Sequence, residues 1–254
     1  MTFLSNYPPA LSIARGLVGG HFAVTKFGRS TNVDLTFRDL WDVTGTAIWI
    51  APTAARLHDI KSSSASDSSA GVGARTVRVY GLKTWITAEV SELISLNGVT
   101  NVPTVDSYVI INHMEVVTKG ATDVNVGDIT ATAQTDTTVT AQINASEGRT
   151  QTSIVGIPTL ENAYLTDVHA AIERGATALA GTVKLMVNSE PDIELLNFAR
   201  RMSLPTTSDG GNYSRVEFGN YLRIDGPAII KLQADADTVN STVTAGFNLI
   251  RVTE

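Results

Sequence analysis

The sequence predicts an all-β protein: two β-sandwich, jelly-roll-like domains behind an extended N-terminal segment. Three observations carry this. Hydrophobic residues make up 43% of the 254 residues and charged residues only 17%, so the chain can bury a large core. It is rich in Thr, which favours half-buried strands over helices. Short apolar or alternating runs recur between Gly, Asn, Asp and Ser clusters, at the spacing of sandwiches and barrels.

Residues 1–40 read as an arm or lead-in, because "AVTKFGRSTNVDL" holds no sustained period. A first domain is expected over 41–150. "AIWIAP" (47–52) is a short apolar run closed by proline. The serine tract from Ser62 leads through "GVGAR" into "TVRVYGL", where Val77 and Val79 alternate with Arg78 and Tyr80. "EVSELISLNGV" reads as a strand ending in Asn97-Gly98, a strong hairpin signal. "SYVIINHMEVVTKG" reads as one long or bulged strand. "GDITATAQ" and "TVTAQINA" flank Thr135-Asp136-Thr137 as a hairpin. The pattern pauses at "EGRTQT", and a second β series, 151–254, begins. Within it Glu190–Ser203 fits a helix or a strand. Pro191 and Asp192 suit a first helical turn, but the run is too short for periodicity to decide.

A net charge of −6 lacks the basic footprint of a nucleic-acid binder and disfavours acidic membrane surfaces. No apolar run approaches the length of a spanning helix, and the first twenty residues do not read as a signal peptide. With no cysteine, thiolate chemistry and Cys-ligated zinc are excluded.

No catalytic, cofactor or metal site is predicted. His21, His58, His113 and His169 show no metal-ligand spacing, and no nucleophile elbow occurs. "GVGAR" (Gly71–Arg75) lacks the strand before and the helix after that a phosphate loop needs, so its glycines read as positive-φ turn positions. Asp235 and Asp237 in "QADADTVN" read as a solvated acidic turn rather than a calcium loop, and "TDVNVGD" (122–128) likewise. Trp41, Trp49, Trp85, Tyr80, Tyr213 and Tyr221 are the candidates for sugar stacking, if core packing leaves them exposed.

A set of ordered blocks resembles a virion-protein family of marine tailed bacteriophages. They are "KFGRSTNVD" with "DLWD", "SSASDSSAGVGARTVRVYGL", "ELISLNGVTNVPT", "INHMEVVTKG", "NVGDITAT", "SIVGIPTLENAYLTDVHAAI" and the terminal "STVTAGFNLIRV". Together they cover most of the chain in order. "GIPTLEN" and "PDIELLNFARRMS" depart from the family pattern. The resemblance implies a virion structural component assembled in the host cytoplasm. Its expected role is a capsid decoration or cement protein, homo-oligomeric and most often trimeric, bridging the major capsid protein. A tail adaptor or fibre-attachment protein, and a carbohydrate- or receptor-binding module, are the alternatives.

Overall fold

The structure, a computed structural model, describes residues 8–43, 48–173, 179–209 and 213–254. Residues 1–7 of the expected lead-in, and Ala47 of the apolar run, lie outside the described residues. In chain order the elements begin with α1 (Pro9–Ala14), β1 (His21–Val33) and β2 (Arg38–Asp39). Next come β3 (His58–Ser62), β4 (Ala74–Leu82), β5 (Val90–Ser95), β6 (Val102–Pro103), β7 (Ile110–Lys119), β8 (Ile129–Ala133) and β9 (Val139–Ile143). The last are β10 (Ile154–Ile157), β11 (Glu161–Ile172), β12 (Ala180–Asn188), β13 (Ala199–Thr207), β14 (Tyr213–Asp225), β15 (Ala228–Ala236) and β16 (Ser241–Thr253). The all-β expectation holds.

Among the described residues all strand pairing is antiparallel, and it divides the strands into two sets. In the outer set the first strand pairs with the last and the second with the second-last, and so on inward: β1 with β16, β10 with β15, β11 with β14, β12 with β13. Cross-links β11–β16 and β12–β15 join these four pairs into two sheets, β1-β16-β11-β14 and β10-β15-β12-β13, with β2 added beside β15. One apolar core lies between them, with Leu165, Leu185, Leu232 and Phe247 among its fully buried members. Between β1 and β10 the chain makes the inserted set, β6-β3-β8-β9 facing β5-β4-β7, around a second core that includes Ile60, Val79, Tyr108 and Met114.

The N-terminal segment differs from the expected lead-in. His21–Val33 is a strand along the whole of β16, and Val33 and Leu40 are buried in the outer core. Its period is hidden because only part of β1 faces that core, so its burial does not alternate cleanly. The segment Glu190–Ser203 divides: turns occupy 191–196, and β13 starts at Ala199. The residues 48–52 form no strand; Trp49 is buried there in irregular backbone. The 129–143 hairpin forms as expected, with positive φ at Thr135 and Thr137 in its turn.

The glycines of "GVGAR" are required for a different reason than positive φ, which neither Gly71 nor Gly73 adopts. A Cβ on Gly71 would lie 2.1 Å from the Ser66 carbonyl oxygen, and one on Gly73 would lie 2.1 Å from Asp67 Oδ1. The loop is packed against itself around Asp67, which is fully buried. That carboxylate accepts from Ser62 Oγ (2.6 Å) and from the backbone N–H groups of Ala74 (2.8 Å), Val126 (2.9 Å) and Gly127 (2.8 Å). The serine tract is therefore an ordered loop that delivers the chain into β4.

Candidate functional site

A third apolar cluster joins the two sets: Trp41, Trp49, Leu82, Trp85, Ile110, Ile154 and Ile229. Three of the six candidate sugar-stacking aromatics are thus spent on this seam. Trp49 Nε1 donates to the Thr140 carbonyl at 3.1 Å, which gives its one polar atom a partner as burial requires. The other three divide as well. Tyr80 turns toward a cleft, and Tyr213 and Tyr221 are exposed on β14.

The cleft, about 760 Å3, opens beside the seam. One wall is β1, from Phe22 to Phe27; the other is formed by Tyr80 of β4, Asn112 and His113 of β7, and the 147–152 connection. Its floor is a polar network that spans the two sets. Lys26 Nζ donates to the Asn112 carbonyl at 2.6 Å. The Asn112 side chain accepts from Gly156 N–H (2.8 Å) and donates to Glu89 (2.5 Å). Arg251 Nη2 donates to Glu89 at 3.1 Å, and Arg251 Nε faces Glu161 at 3.2 Å as an ion pair without hydrogen-bond alignment. Lys26 is only 6% exposed.

This burial has electrostatic consequences. Desolvation pulls the Lys26 amine down to about 7, against the attraction of Glu89 and with the repulsion of Arg149 and Arg251. The amine therefore loses its charge near neutrality, where ordinary lysines keep it. His113 stacks on Tyr80 with ring centroids 4.0 Å apart, and desolvation, helped by Lys26, lowers it to about 4. Burial also raises the Glu161 carboxyl above its usual range. Chemically the floor can exchange hydrogen bonds with a polar ligand. Phe22 and Phe27, both exposed, add apolar surface at the cleft wall.

The four histidines are not brought together. His21 lies by Gly19, His58 is buried in the inserted set, His113 lines the cleft, and His169 pairs with Asp167 on the outer set. Asp235 and Asp237 accept the N–H groups of Thr182 and Ala180, so these carboxylates cap backbone on the neighbouring strand. In the 122–128 stretch Asp123 pairs with Lys119, and Asp128 accepts from Ala145 N–H. Among the described residues no cluster of three or more His, Asp or Glu is placed to hold a metal. The residues that sequence reading missed are Lys26, Glu89, Asn112, Arg251 and Asp67. They sit on distant segments, 86 positions apart for Lys26 and Asn112 and 162 for Glu89 and Arg251, so no local spacing marks them.

No protein-family model matches the chain, and no curated protein matches it. Among solved structures, two of infectious bursal disease virus align. The Gx strain structure is 10% identical with a TM-score of 0.23, over 97% of this chain and 77% of that one. The Gt strain structure is 8% identical with a TM-score of 0.20, over 97% and 78%.

Proposed function

We propose that the chain is a structural protein of a tailed-phage virion: a decoration or cement protein on the outer head surface that bridges subunits of the major capsid protein. The observation that carries the reading is the pairing order of the outer set. Strands that pair first with last, inward to a central hairpin, and then roll into two facing sheets have the order of an eight-stranded jelly roll, an architecture used by viral capsid and lectin domains. The inserted set is then a second sandwich, carried between the first and second strands of the roll. Fold alone does not name a function, so the ordered sequence blocks that resemble phage virion proteins are the second support. In this reading the chain works by contact with other virion proteins and with its own copies, without nucleic acid, membrane or cofactor.

The test is a map of purified virions combined with copy-number measurement. A decoration protein is expected in numbers comparable with the major capsid protein and in contact with it. A few copies touching only portal or tail proteins would replace this reading with that of a tail adaptor or fibre-attachment protein. The cleft favours one further reading, a receptor- or glycan-binding module, because Phe22, Phe27 and Tyr80 line it beside polar groups. Glycan-array binding that disappears in Phe27→Ala, with unfolding unchanged, would support that alternative; no binding by the wild-type chain would remove it.

A further inference from the structure

Among the described residues the outer set has one covered side and one open side. On the covered side, β1 bridges to Thr152, and a Cβ on Gly28 would sit 2.1 Å from the Leu40 carbonyl oxygen, so other backbone presses on that strand. On the open side lie β13 and β14, the outermost strands of their sheets. Strand β13 carries Pro205, which cannot donate to a further ladder. Strand β14 contains no proline. It is 13 residues long and is exposed at Tyr213, Arg215, Glu217, Gly219, Tyr221, Arg223 and Asp225. Long exposed edges invite pairing with another strand unless something blocks it.

The charges on this edge specify the partner. Along β14 the exposed ionic residues read Arg215, Glu217, Arg223, Asp225, alternating in sign. Reversed, as in antiparallel pairing with an identical strand, an even alternating row meets its own complement. Arg215 falls opposite Asp225 of the second copy, and Glu217 opposite its Arg223. Between Glu217 and Leu222 the strand makes an excursion: four residues, Phe218–Tyr221, stand against Thr166 of β11. Each charge pair has one member on either side of that excursion, and the spacings Arg215–Glu217 and Arg223–Asp225 are equal, so the two contacts keep one mutual register. All four side chains are substantially exposed, between 43% and 70%; within one copy Arg215 pairs with Glu217 and Arg223 with Asp225, and docking would set each of these pairs against the other pair of the second copy. On the other face Val216, Phe218 and Leu222 are only partly buried against the core, and a neighbouring strand would finish covering them.

We propose that β14 is a homotypic docking edge, on which two copies join antiparallel about a two-fold axis so that their β1-β16-β11-β14 sheets form one continuous sheet. The interface is isologous: each contact occurs twice, once in each direction. Cross-strand pairs of opposite charge favour the register, and like charges placed opposite would oppose it. The proposal concerns the contact between copies and does not depend on where in a virion, or whether in a virion, the chain sits.

Two single variants test it, because each sets like charges opposite at both copies of one contact. Glu217→Arg faces Arg223 with arginine, and Arg223→Glu faces Glu217 with glutamate. Sedimentation velocity over a concentration series is expected to show dimerisation of the wild-type chain. Each variant alone should weaken it by on the order of tenfold or more. Mixed in equal amounts, the two variants should re-form a dimer with wild-type affinity, read as the heterodimer by native mass spectrometry. Circular dichroism and urea unfolding check that each variant is folded. A wild-type chain that stays monomeric would overturn the proposal. So would a dimer or trimer insensitive to either variant, or two folded variants that fail to rescue each other.

Discussion

The two strand sets reach order by different physics. Apart from β10 and β2, the outer set is built of strands of 9–13 residues around one apolar core. Its β11, β14 and β16 have 12 or 13 residues, and their pairing places Leu165, Val168, Phe247 and Leu249 inward. The inserted set has shorter strands, among them β6 of two residues and β3, β8 and β9 of five. It compensates with polar side chains that hold its connections, Asp67 and Asn125 fully buried and Asp136 partly so. Asp67 ties the serine loop to the 126–127 backbone, Asn125 bridges Gly127, Asn144 and Gly148, and Asp136 binds Thr53 and Arg56. The lesson is that a short-strand sandwich needs its loops to be structural, whereas a long-strand one can leave its loops and edges to other uses.

Breaking each set by its own logic should separate them. The largest effect is expected from Phe247→Ala in the outer core. Phe247 is fully buried, and truncating such a ring removes transfer energy and leaves a cavity, a loss of about 3–5 kcal/mol. Urea unfolding followed by far-UV circular dichroism would measure it, and a loss below about 1 kcal/mol would mean that the outer core is loosely packed. Asp67→Ala should come next, at roughly 2–4 kcal/mol, since it strands three backbone N–H groups, those of Ala74 and Gly127 buried and that of Val126 part-buried. It should also raise hydrogen exchange at Ala74, Val126 and Gly127 while sparing β11 and β16. Exchange that rises uniformly over both sets would show that they unfold as one unit. All three tryptophans sit in the seam, so their emission reports its opening independently of either core.

The same contrast explains what was legible in the sequence. The second β series was readable because alternating runs such as "GTVKLMVNS" and "AIIKLQADA" face one core, and β12 and β15 form there. The Val77/Val79 alternation and the hairpin at 135–137 are local signals, and they survive intact. What was hidden is non-local. Strand β1 pairs with the far end of the chain, from His21 opposite Val252 to Val33 opposite Ser241, so nothing near residue 21 announces it. Asp67 looked like one polar residue in a serine tract, because its partners at 126 and 127 are about sixty positions away. The cleft floor was invisible for the same reason. Its buried lysine lies in "VTKFG", where the sequence offers no sign of the Asn112 carbonyl that meets it.

The smallest effect, and the sharpest on the inserted set, is its response to acid. His58 on β3 is fully buried, its Nδ1 set 3.0 Å from the Arg56 carbonyl and its Nε2 without a partner. Desolvation lowers it to about 4, with the Arg56 hydrogen bond opposing. Its folded-state value lies below the ordinary 6.5, so the unfolded chain binds more protons between those limits. The stability it contributes is complete above pH 6.5 and is lost as pH falls toward 4. The loss by pH 5 should be about 1–2 kcal/mol. His113, lowered in the same direction but placed at the cleft, adds to the same window. The separating variant is His58→Phe, which keeps a ring of similar size beside Tyr108 and removes the titration. Urea midpoints between pH 7 and 4.5 should fall less steeply in His58→Phe than in wild type. Equal slopes would mean that His58 takes up its proton without unfolding the strands around it, and that the inserted core admits water more readily than its packing implies.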